Sequence, residues 1–458
     1  MKAGVCWLVV LGLADETRRL AEFASSVSYR SLPEEVVDRV GLLFADWLAS
    51  ALGGAAEAPG RIAARVARRL GGHPESTVLG YGERVSCFAA ALANGIMSHI
   101  LELDDVHKKS VTHPGAAVFP AALAVWEVVG GGGERLVEAA VAGYELVARV
   151  GEAAGRSHYE IWHTTATAGT FGAAAAAGRL LDLSPEEMAW ALGSAGTSAS
   201  GLWEFLEQGA MSKHLHAGKA AALGVLSAML AEEGFTGSTT ILEGRRGFLR
   251  ATSRQPSLKP LVEGLGEGYK VMEVSIKPYA SCRHTHSAID AALKLREEVD
   301  VREIAEVKVE VYSDALKIAG NPSPKTPYEA KFSVSYCVAA ALLYGRAGIH
   351  EFTAEKLRSR ELRSLMRKVK AEASSELDRM YPEKWPARVT VYTEGSSCSA
   401  QVDYPLGDPE NPVSRQQLER KFRELASRAL PLERAPKVFE LASKPWLLKS
   451  PRDLMDML

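Results

Sequence analysis

Cysteine is scarce in this sequence of 458 residues. The chain has five cysteines, and no two of them form a CxxC or CxxxC pair: Cys6, Cys87, Cys282, Cys337 and Cys398. Zinc sites and iron–sulfur clusters held by thiolates generally use such pairs, so the sequence argues against both. A scattered, odd set of cysteines also argues against a disulfide framework, which predicts a reducing, cytoplasmic location.

Other common signatures are missing as well. The sequence contains no Walker motif and no GxGxxG that enters a helix after a strand, which argues against these nucleotide-binding loops. No stretch reaches about 18 uninterrupted apolar residues, so we predict no transmembrane span and no membrane partner. A net charge of −2 gives no electrostatic reason to expect nucleic acid as a partner.

The N-terminus, residues 1–14, reads MKAGVCWLVVLGLA, one lysine followed by an apolar run. Three interpretations remain open: a short signal segment, an alternative start site, or an apolar arm packed on the protein. We treat these residues as an apolar N-terminal extension, because helical spacing of apolar residues begins directly after them.

The length predicts two or three domains, and the composition indicates where they divide. Residues 15–265 are rich in Ala and Gly at helical spacing, which predicts an all-helical domain with closely packed helices. Ser184-Pro-Glu-Glu has the pattern of a capped helix start. Near residue 265 the pattern changes, and we expect residues 408–458 to return to the helical domain and complete it.

Residues 266–407 predict a smaller α+β domain. Apolar and polar residues alternate at 270–279 and 305–312, which is the period of a strand. Two further segments around Glu394-Gly395 predict a hairpin. Helices are predicted at 284–298, 330–344 and 353–378. The predicted fold class is therefore mainly α, with an all-helical N-terminal domain and an antiparallel-sheet C-terminal domain.

Most of the histidines lie near lysine or arginine. Nine of the eleven occur in four groups: His99/His107/His113, His158/His163, His214/His216 and His284/His286. The first group belongs to a polar segment, HILELDDVHKKSVTHPGAAVFP, set between Ala-rich stretches. Lysine and arginine bind carboxylates, and histidine transfers protons near neutral pH. The four groups therefore predict one composite site for a small anionic carboxylate.

A metal site is the alternative interpretation. Asp-Asp-x-His at 104–107 and the two HxH patterns supply ligand types that bind zinc and similar ions. A single histidine is also commonly a packed structural residue, and we expect this of His99 on its Ala-rich helix. Asp104 and Asp105 could simply cap the next turn.

Several long segments resemble the MmgE/PrpD family. They match in chain order from about residue 15 to the C-terminus and include ELDDVH at 102–107, THPGAAVFPAALA at 112–124, SKHLHAGKAA at 212–221 and IKPYASCRHTHSAIDAAL at 276–293. The resemblance implies a homodimer, a site between the two domains, and no metal or organic cofactor.

The resemblance also implies the site residues and the reaction. The expected catalytic residues are Asp104, His113, His163 and Tyr336, and the expected substrate-binding residues are Lys213, Lys277, Arg283, His107, His284 and Glu102. We predict a hydro-lyase of the 2-methylcitrate dehydratase type that removes a proton next to a carboxylate of a di- or tricarboxylate. The alternatives are a cis-aconitate-type decarboxylase, an iminodisuccinate-type epimerase, and a non-catalytic homologue that only binds carboxylates.

One departure from the family pattern matters for the substrate. The acidic run of the family usually reads LDFDD, whereas this chain has Leu-Glu-Leu-Asp-Asp, with Glu102 in place of the first Asp. The carboxylate of Glu102 reaches about one methylene further, which leaves the identity of the substrate open.

Overall fold

The computed structural model describes residues 15–458, so the N-terminal extension lies outside the described residues. The N-terminal part is a bundle of helices with one short hairpin, β1 (Ser76–Val78) and β2 (Glu83–Val85). Its helices are α1 (Glu16–Ser26), α2 (Glu34–Ala55), α3 (Ala58–Leu70), α4 (Cys87–Ser98), α5 (Pro114–Val129), α6 (Glu134–Tyr159), α7 (Thr164–Leu180), α8 (Pro185–Ser198), α9 (Phe205–Gln208), α10 (Ser212–Glu232), α11 (Phe248–Thr252) and α12 (Lys259–Val262).

Glycines at helix crossings bring the backbones of this bundle close together. A Cβ atom added to Gly95 of α4 would lie 2.7 Å from the Cα atom of Gly218 in α10, and one added to Gly143 of α6 would lie 2.9 Å from the carbonyl oxygen of Gly172 in α7. Such distances leave no room for a side chain. The first crossing places the end of α4 beside the start of α10, and both ends carry polar residues.

The C-terminal part contains a four-stranded sheet with the order β6-β5-β7-β8. Its strands are β5 (Glu306–Val311), β6 (Val369–Ala373), β7 (Ala387–Tyr392) and β8 (Ser397–Val402), preceded by the short β4 (Val274–Ser275). Its helices are α13 (His286–Leu295), α14 (Ser313–Ala319), α15 (Pro327–Lys331), α16 (Val334–Tyr344), α17 (Ala354–Arg358), α18 (Arg360–Lys368) and α19 (Ser375–Asp378).

The predicted fold class is confirmed, with differences inside the sheet. The hairpin is present as β7 and β8, and Val307, Val309 and Val311 of β5 share the buried face. However, β5 and β6 run parallel, joined by a helical crossover. The helix predicted at 353–378 is instead two short helices followed by β6. Of the strand predicted at 270–279, only the two residues of β4 are extended in a ladder; Lys270–Glu273 form a 3-10 turn, and residues 276–279 belong to no helix or strand.

The last helices are α20 (Arg415–Ala426), α21 (Ala435–Ala442) and α22 (Arg452–Met455), and α20 packs against α2. Lys421 of α20 donates hydrogen bonds to Asp46 Oδ1 at 2.5 Å, to the Leu103 carbonyl at 2.7 Å and to the Lys277 carbonyl at 2.8 Å. This lysine therefore ties α2, the polar segment and the start of the C-terminal part together. The predicted domain limits themselves stay a prediction. Throughout residues 15–458, none of the helices has the length and apolar character that crossing a membrane requires.

Candidate active site

The polar segment forms a tight loop between α4 and α5. Its short strand β3 (Val106–His107) pairs with β4 and so joins the segment to the start of the C-terminal part. Glu102 and Val111 have φ angles of +57° and +51°, a left-handed backbone that residues other than glycine adopt rarely. Strained backbone of this kind tends to occur at functional sites, where the surrounding structure holds it in place.

Both strained residues line a small cavity between the two parts of the chain. Its volume is about 30 Å³, so in this closed state it offers little more than the space of a water molecule. Polar and apolar residues from distant segments line it: Glu102, His113, His163, Lys213, Cys282, Arg283 and His284, together with Val106, Val111, Tyr159, Trp203, Ile318, Phe332 and Trp385. Six of the ten predicted site residues are in this set.

Two buried lysines face Glu102: Lys213, which lines the cavity, and Lys277, which does not. Lys213 forms an ion pair with Glu102 Oε1, and Lys277 Nζ lies 3.7 Å from Glu102 Oε2. Burial acts to raise the pKa of Glu102, but the two lysines outweigh it and hold that pKa below its ordinary value. Burial lowers the pKa of Lys277, whose side chain is fully buried. Its ammonium group has no hydrogen-bond partner among the described residues.

The Asp104 carboxylate holds the rings of His99 and His113 in place. Its Oδ2 atom lies 2.6 Å from His99 Nδ1 and 3.3 Å from His113 Nδ1. The Nδ1 atom of His113 also lies 2.7 Å from the Asp105 carbonyl, to which it must donate. Burial lowers the pKa of His113 to about 3, against the opposing effect of Asp104. The neutral ring therefore keeps its proton on Nδ1 and leaves Nε2 as the basic atom.

His163 completes the set of histidines at the cavity. Its Nδ1 lies 3.0 Å from His216 Nδ1, so one of the two rings donates to the other. It also stacks on His99, with ring centroids 5.6 Å apart. Burial, followed by the repulsion of His216, holds the pKa of His163 well below its ordinary value. Histidines from three separate segments thus meet around Asp104 and the lysine pair.

Asp105 anchors the start of α5 and thereby positions His113. Its carboxylate accepts hydrogen bonds from the Tyr144 hydroxyl at 2.5 Å and from the Gly115 amide at 3.0 Å. Burial raises the pKa of Asp105 to about 7. The alternative that Asp104 and Asp105 cap the next turn is therefore correct for Asp105, whereas Asp104 bonds to imidazole rings.

The structure does not bring Tyr336 to the cavity, which contradicts its predicted role as an acid. Its hydroxyl donates to the carbonyl of Glu351 at 2.6 Å, and its ring packs beside Phe352 in the interior of the C-terminal part. Burial raises the pKa of Tyr336 above its ordinary value. A buried hydroxyl that donates a hydrogen bond to a backbone carbonyl supports the fold, and it has no contact with the cavity.

His107 also points away from the cavity, contrary to its predicted contact with the substrate. Its Nδ1 bonds to Ser110, and its Nε2 lies 3.6 Å from both Glu152 and Glu273. We call these three side chains, His107, Glu152 and Glu273, the outer cluster. Lys270 and Lys109 pair with the same two glutamates at 2.8 to 3.1 Å, so the charge of the outer cluster is largely compensated.

Arg283 and His284 line the cavity, but both are already engaged. The Arg283 guanidinium pairs with Asp408 and contacts His286, so its charge is neutralised within the protein. This placement argues against Arg283 as the main carboxylate anchor. His284 stacks on Trp385 with centroids 4.5 Å apart and bonds to the Tyr312 hydroxyl through Nδ1.

Among residues 15–458, two groups of side chains could supply atoms to a metal ion. One is His99, Asp104 and His113, and the other is the outer cluster; in each, the ligand atoms lie within 4.8 Å of one another. In the first group Asp104 is occupied by hydrogen bonds to imidazole. In the second, two lysines compete for the carboxylates. Neither arrangement presents a free set of anionic ligands of the kind that divalent metals prefer.

Sequence reasoning missed part of the site. His99 is fully buried, as expected, yet it binds Asp104 and contacts two other site histidines, so it belongs to the polar network. Its position five residues before Asp104 was the available signal. The aromatic walls, Trp203 and Trp385, were missed as well. Trp203 lies ten residues before Lys213, so its place near that motif was the available signal, whereas Trp385 lies far from the motifs in sequence.

Comparison with known proteins identifies the family. The model of the MmgE/PrpD N-terminal domain matches residues 18–261, and that of the MmgE/PrpD C-terminal domain matches residues 279–444. The chain belongs to the MmgE/PrpD family. The two matches together cover the bundle, the sheet and the cavity between them.

Similar proteins of this family include cis-aconitate decarboxylases. That of Aspergillus terreus is 28% identical over 93% of this chain and 92% of its own length. The cis-aconitate decarboxylase-like protein oryM of Aspergillus oryzae is 28% identical over 92% of both chains, and the human cis-aconitate decarboxylase is 26% identical over 87% and 85%. These relatives support a lyase, and they favour the decarboxylase alternative over the hydro-lyase that the sequence analysis put first.

Proposed function

We propose that this protein is a decarboxylase that releases CO₂ from an unsaturated polycarboxylate of the cis-aconitate type. The supporting observation is Lys277, a fully buried ammonium group without a hydrogen-bond partner among residues 15–458. Glu102, 3.7 Å away, lies too far to accept a hydrogen bond from this group. A buried ammonium without an acceptor is costly, and an anionic ligand would supply one. Lys213, 2% exposed on the other side of Glu102, supplies a second cation.

Substrate entry requires the cavity to open, because its present volume is too small for a polycarboxylate. The Lys213–Glu102 ion pair is the contact that must loosen, so that Lys213 can turn to a substrate carboxylate. Before substrate binds, the Glu102 carboxylate takes the place of a substrate carboxylate and keeps the two lysines charged. The left-handed backbone of Glu102 is consistent with a residue held ready to change partners.

The reaction follows from this charge arrangement. The bond between a methylene carbon and its carboxylate breaks, CO₂ leaves, and the electron pair forms a new double bond at that methylene. The electrons of the original double bond move to the carbon next to a second carboxylate. Lys213 and Lys277 stabilise the resulting enolate-like charge, and a proton adds to that carbon. One proton is consumed and one CO₂ is released.

We assign proton delivery to His113, with His163 as the neighbouring alternative. His113 is held by Asp104 and the Asp105 carbonyl through Nδ1, which leaves Nε2 to carry the proton that is transferred. The negative charge of a bound polycarboxylate favours the protonated ring, so substrate binding itself charges the acid. Asp104 is a positioning residue that keeps the ring oriented and stabilises its charged form.

The test is a substrate panel followed by NMR in D₂O. The proposal expects cis-aconitate to lose CO₂ and to gain one deuterium. Dehydration of 2-methylcitrate or citrate without CO₂ release from cis-aconitate would support the hydro-lyase instead. Deuterium exchange into iminodisuccinate would indicate the epimerase. Binding of polycarboxylates without any turnover would indicate the non-catalytic homologue.

We also propose a homodimer in the cytoplasm. Large apolar side chains are exposed on two helices that both pack against α4, with Ile62, Val66 and Leu70 on α3 and Leu226 and Met229 on α10. An exposed apolar surface of this kind suits burial against a second copy. Sedimentation of the purified protein at twice the monomer mass would support the dimer, and a monomer at micromolar concentration would contradict it.

A further inference from the structure

A second, larger cavity lies directly outside the site. We call it the vestibule; its volume is about 690 Å³, within the usual range for small-molecule sites. Val111, Tyr159, Trp203 and Ile318 line both the vestibule and the inner cavity. These four apolar or aromatic residues therefore separate the inner cavity from the vestibule.

The vestibule has apolar side chains on its rim as well as its wall. Ile161 and Leu202 are 57% and 52% exposed, among the most exposed large apolar residues of the described chain. Leu206, Tyr381 and Pro382 extend the same surface. Apolar surface left facing water beside a cleft commonly marks the place where an apolar ligand binds.

The charged residues of the vestibule do not form a basic entrance. It is lined by three cations and four carboxylates: Lys109, Arg156 and Lys317, against Glu160, Glu204, Glu207 and Asp314. The cations are also engaged, since Arg156 and Lys317 both pair with Asp314, and Lys109 pairs with Glu273. A passage shaped only to attract a small polyanion would carry an excess of positive charge.

We propose that the vestibule binds a linear alkyl tail of the substrate. The carboxylates occupy the inner site at Lys213 and Lys277, and the tail extends past Tyr159 and Trp203 onto the apolar wall beyond. The rings of Tyr159 and Trp203 are in edge-to-face contact, with centroids 4.9 Å apart, and separate when the site opens. The preferred substrate is accordingly an alkyl-substituted polycarboxylate. The chemistry at its head rests on the proposed decarboxylase function, whereas binding of the tail depends only on the vestibule.

Calorimetry with 2-alkylsuccinates, from methyl to octyl, tests the binding directly. These compounds carry two carboxylates and no reactive double bond, so affinity is measured without turnover. Burying each added methylene should tighten binding about fourfold until the tail fills the apolar wall. A dissociation constant that stays the same along the series would overturn the proposal.

Two variants locate the tail. Leu202→Asp and Ile161→Asp should each flatten the dependence of affinity on chain length, because a carboxylate on the rim disfavours the tail. Leu432→Asp is the matched control, an equally exposed leucine (56%) outside the vestibule, and it should keep the full dependence. Thermal unfolding checks that all three variants are folded. An unchanged dependence in both rim variants would remove the vestibule as the binding place.

The two proposals fail separately. If alkylsuccinates show the chain-length dependence but no unsaturated polycarboxylate loses CO₂, the decarboxylase proposal is wrong and the vestibule proposal stands. If cis-aconitate is decarboxylated but the affinity for alkylsuccinates does not change with chain length, the vestibule proposal is wrong and the decarboxylase proposal stands. Decarboxylation of cis-aconitate and of its alkyl derivatives, compared by kcat/KM, should show the same preference for the longer tail.

Discussion

The polar segment between α4 and α5 contributes to two clusters of histidine and carboxylate that differ in one respect. The inner group, His99, Asp104 and His113, faces the cavity beside Lys213 and Lys277. The outer cluster, His107, Glu152 and Glu273, lies on the other side of the segment beside Lys109 and Lys270. Both combine imidazole, carboxylate and ammonium groups over a few ångströms, so the residue types alone do not tell them apart.

The difference lies in which polar atoms have partners. Each outer glutamate pairs with a lysine at 2.8 to 3.1 Å. At the inner group, three buried atoms, Lys277 Nζ, His99 Nε2 and Asp104 Oδ1, have no hydrogen-bond partner in the described part of the chain, whereas the outer cluster has one such atom, His107 Nε2. Buried polar atoms are nearly always satisfied, so a concentration of exceptions indicates a place prepared for a ligand. We therefore interpret the outer cluster as part of the fold and the inner group as the proposed place for a ligand.

The largest expected effect distinguishes the lysines beside the inner group from those beside the outer cluster. Lys277→Ala should lower kcat for decarboxylation by about 10³-fold, because it removes one of the two charges that stabilise the developing enolate. Lys270→Ala removes a lysine that pairs with the outer cluster, and it should change kcat by no more than about threefold from that of the unsubstituted protein. Steady-state kinetics on cis-aconitate measures both. Equal losses in the two variants would abolish the distinction between the clusters.

The histidines provide the next comparison. His113→Gln should lower kcat by at least about 10²-fold, the usual contribution of a general acid. His107→Gln should leave kcat nearly unchanged while it lowers the free energy of unfolding by about 1–3 kcal/mol, because it disturbs a buried polar contact. Urea denaturation gives the second quantity. Full activity in His113→Gln would transfer the proton-donor role to His163.

Substrate binding should take up about one proton near neutral pH. Burial lowers the pKa of His113 to about 3, so the ring is neutral in the free protein at pH 7. A bound polyanion raises that pKa, so the complex holds more protons than the free protein between the two pKa values. Affinity therefore strengthens as pH falls through the pKa of the complex. Calorimetry in buffers of different ionisation enthalpy counts the protons.

His113→Gln is the control for this measurement and should abolish the uptake. If the unsubstituted protein binds without taking up a proton at pH 7, the imidazole is not charged by substrate and another group must supply the proton.

The smallest effect is expected at the edge of the outer cluster. Lys109 pairs with Glu273 at 3.0 Å, but its side chain is half exposed. Exposed ion pairs contribute little, so Lys109→Ala should change the free energy of unfolding by less than about 1 kcal/mol. A loss of several kcal/mol, measured by urea denaturation, would show that the outer cluster depends on every one of its charges.

Local patterns predicted local structure well. Ser184 and Glu187 form the predicted helix start, with each side chain bonded to the backbone of the other. The sequence also predicted β5 and the β7–β8 hairpin, because apolar residues recur at every second position in a strand that has one buried face. The lysine and histidine motifs indicated a carboxylate site, and six of the ten predicted residues line one cavity.

Long-range contacts explain the failures. The segment that forms β6, VKAEA, follows a helix without a strong break, and it becomes a strand because it pairs with β5, about sixty residues earlier. Tyr336 belongs to a family motif, yet its hydroxyl meets the Glu351 carbonyl. His107 and His113 are six residues apart, and the turn of the chain between them sends the two rings to opposite sides.

The sequence by itself determined the fold class, the family and the kind of chemistry, since helical periodicity, strand alternation and the residue types of the motifs are local properties. Only the tertiary structure decided which charges are compensated and which are left for a ligand. That decision depends on distances between segments such as Glu102, Lys213 and Lys277, which are up to 175 residues apart and meet through close helix packing. The stabilisation of a buried charge depends on its neighbours in space, and a linear pattern does not contain them.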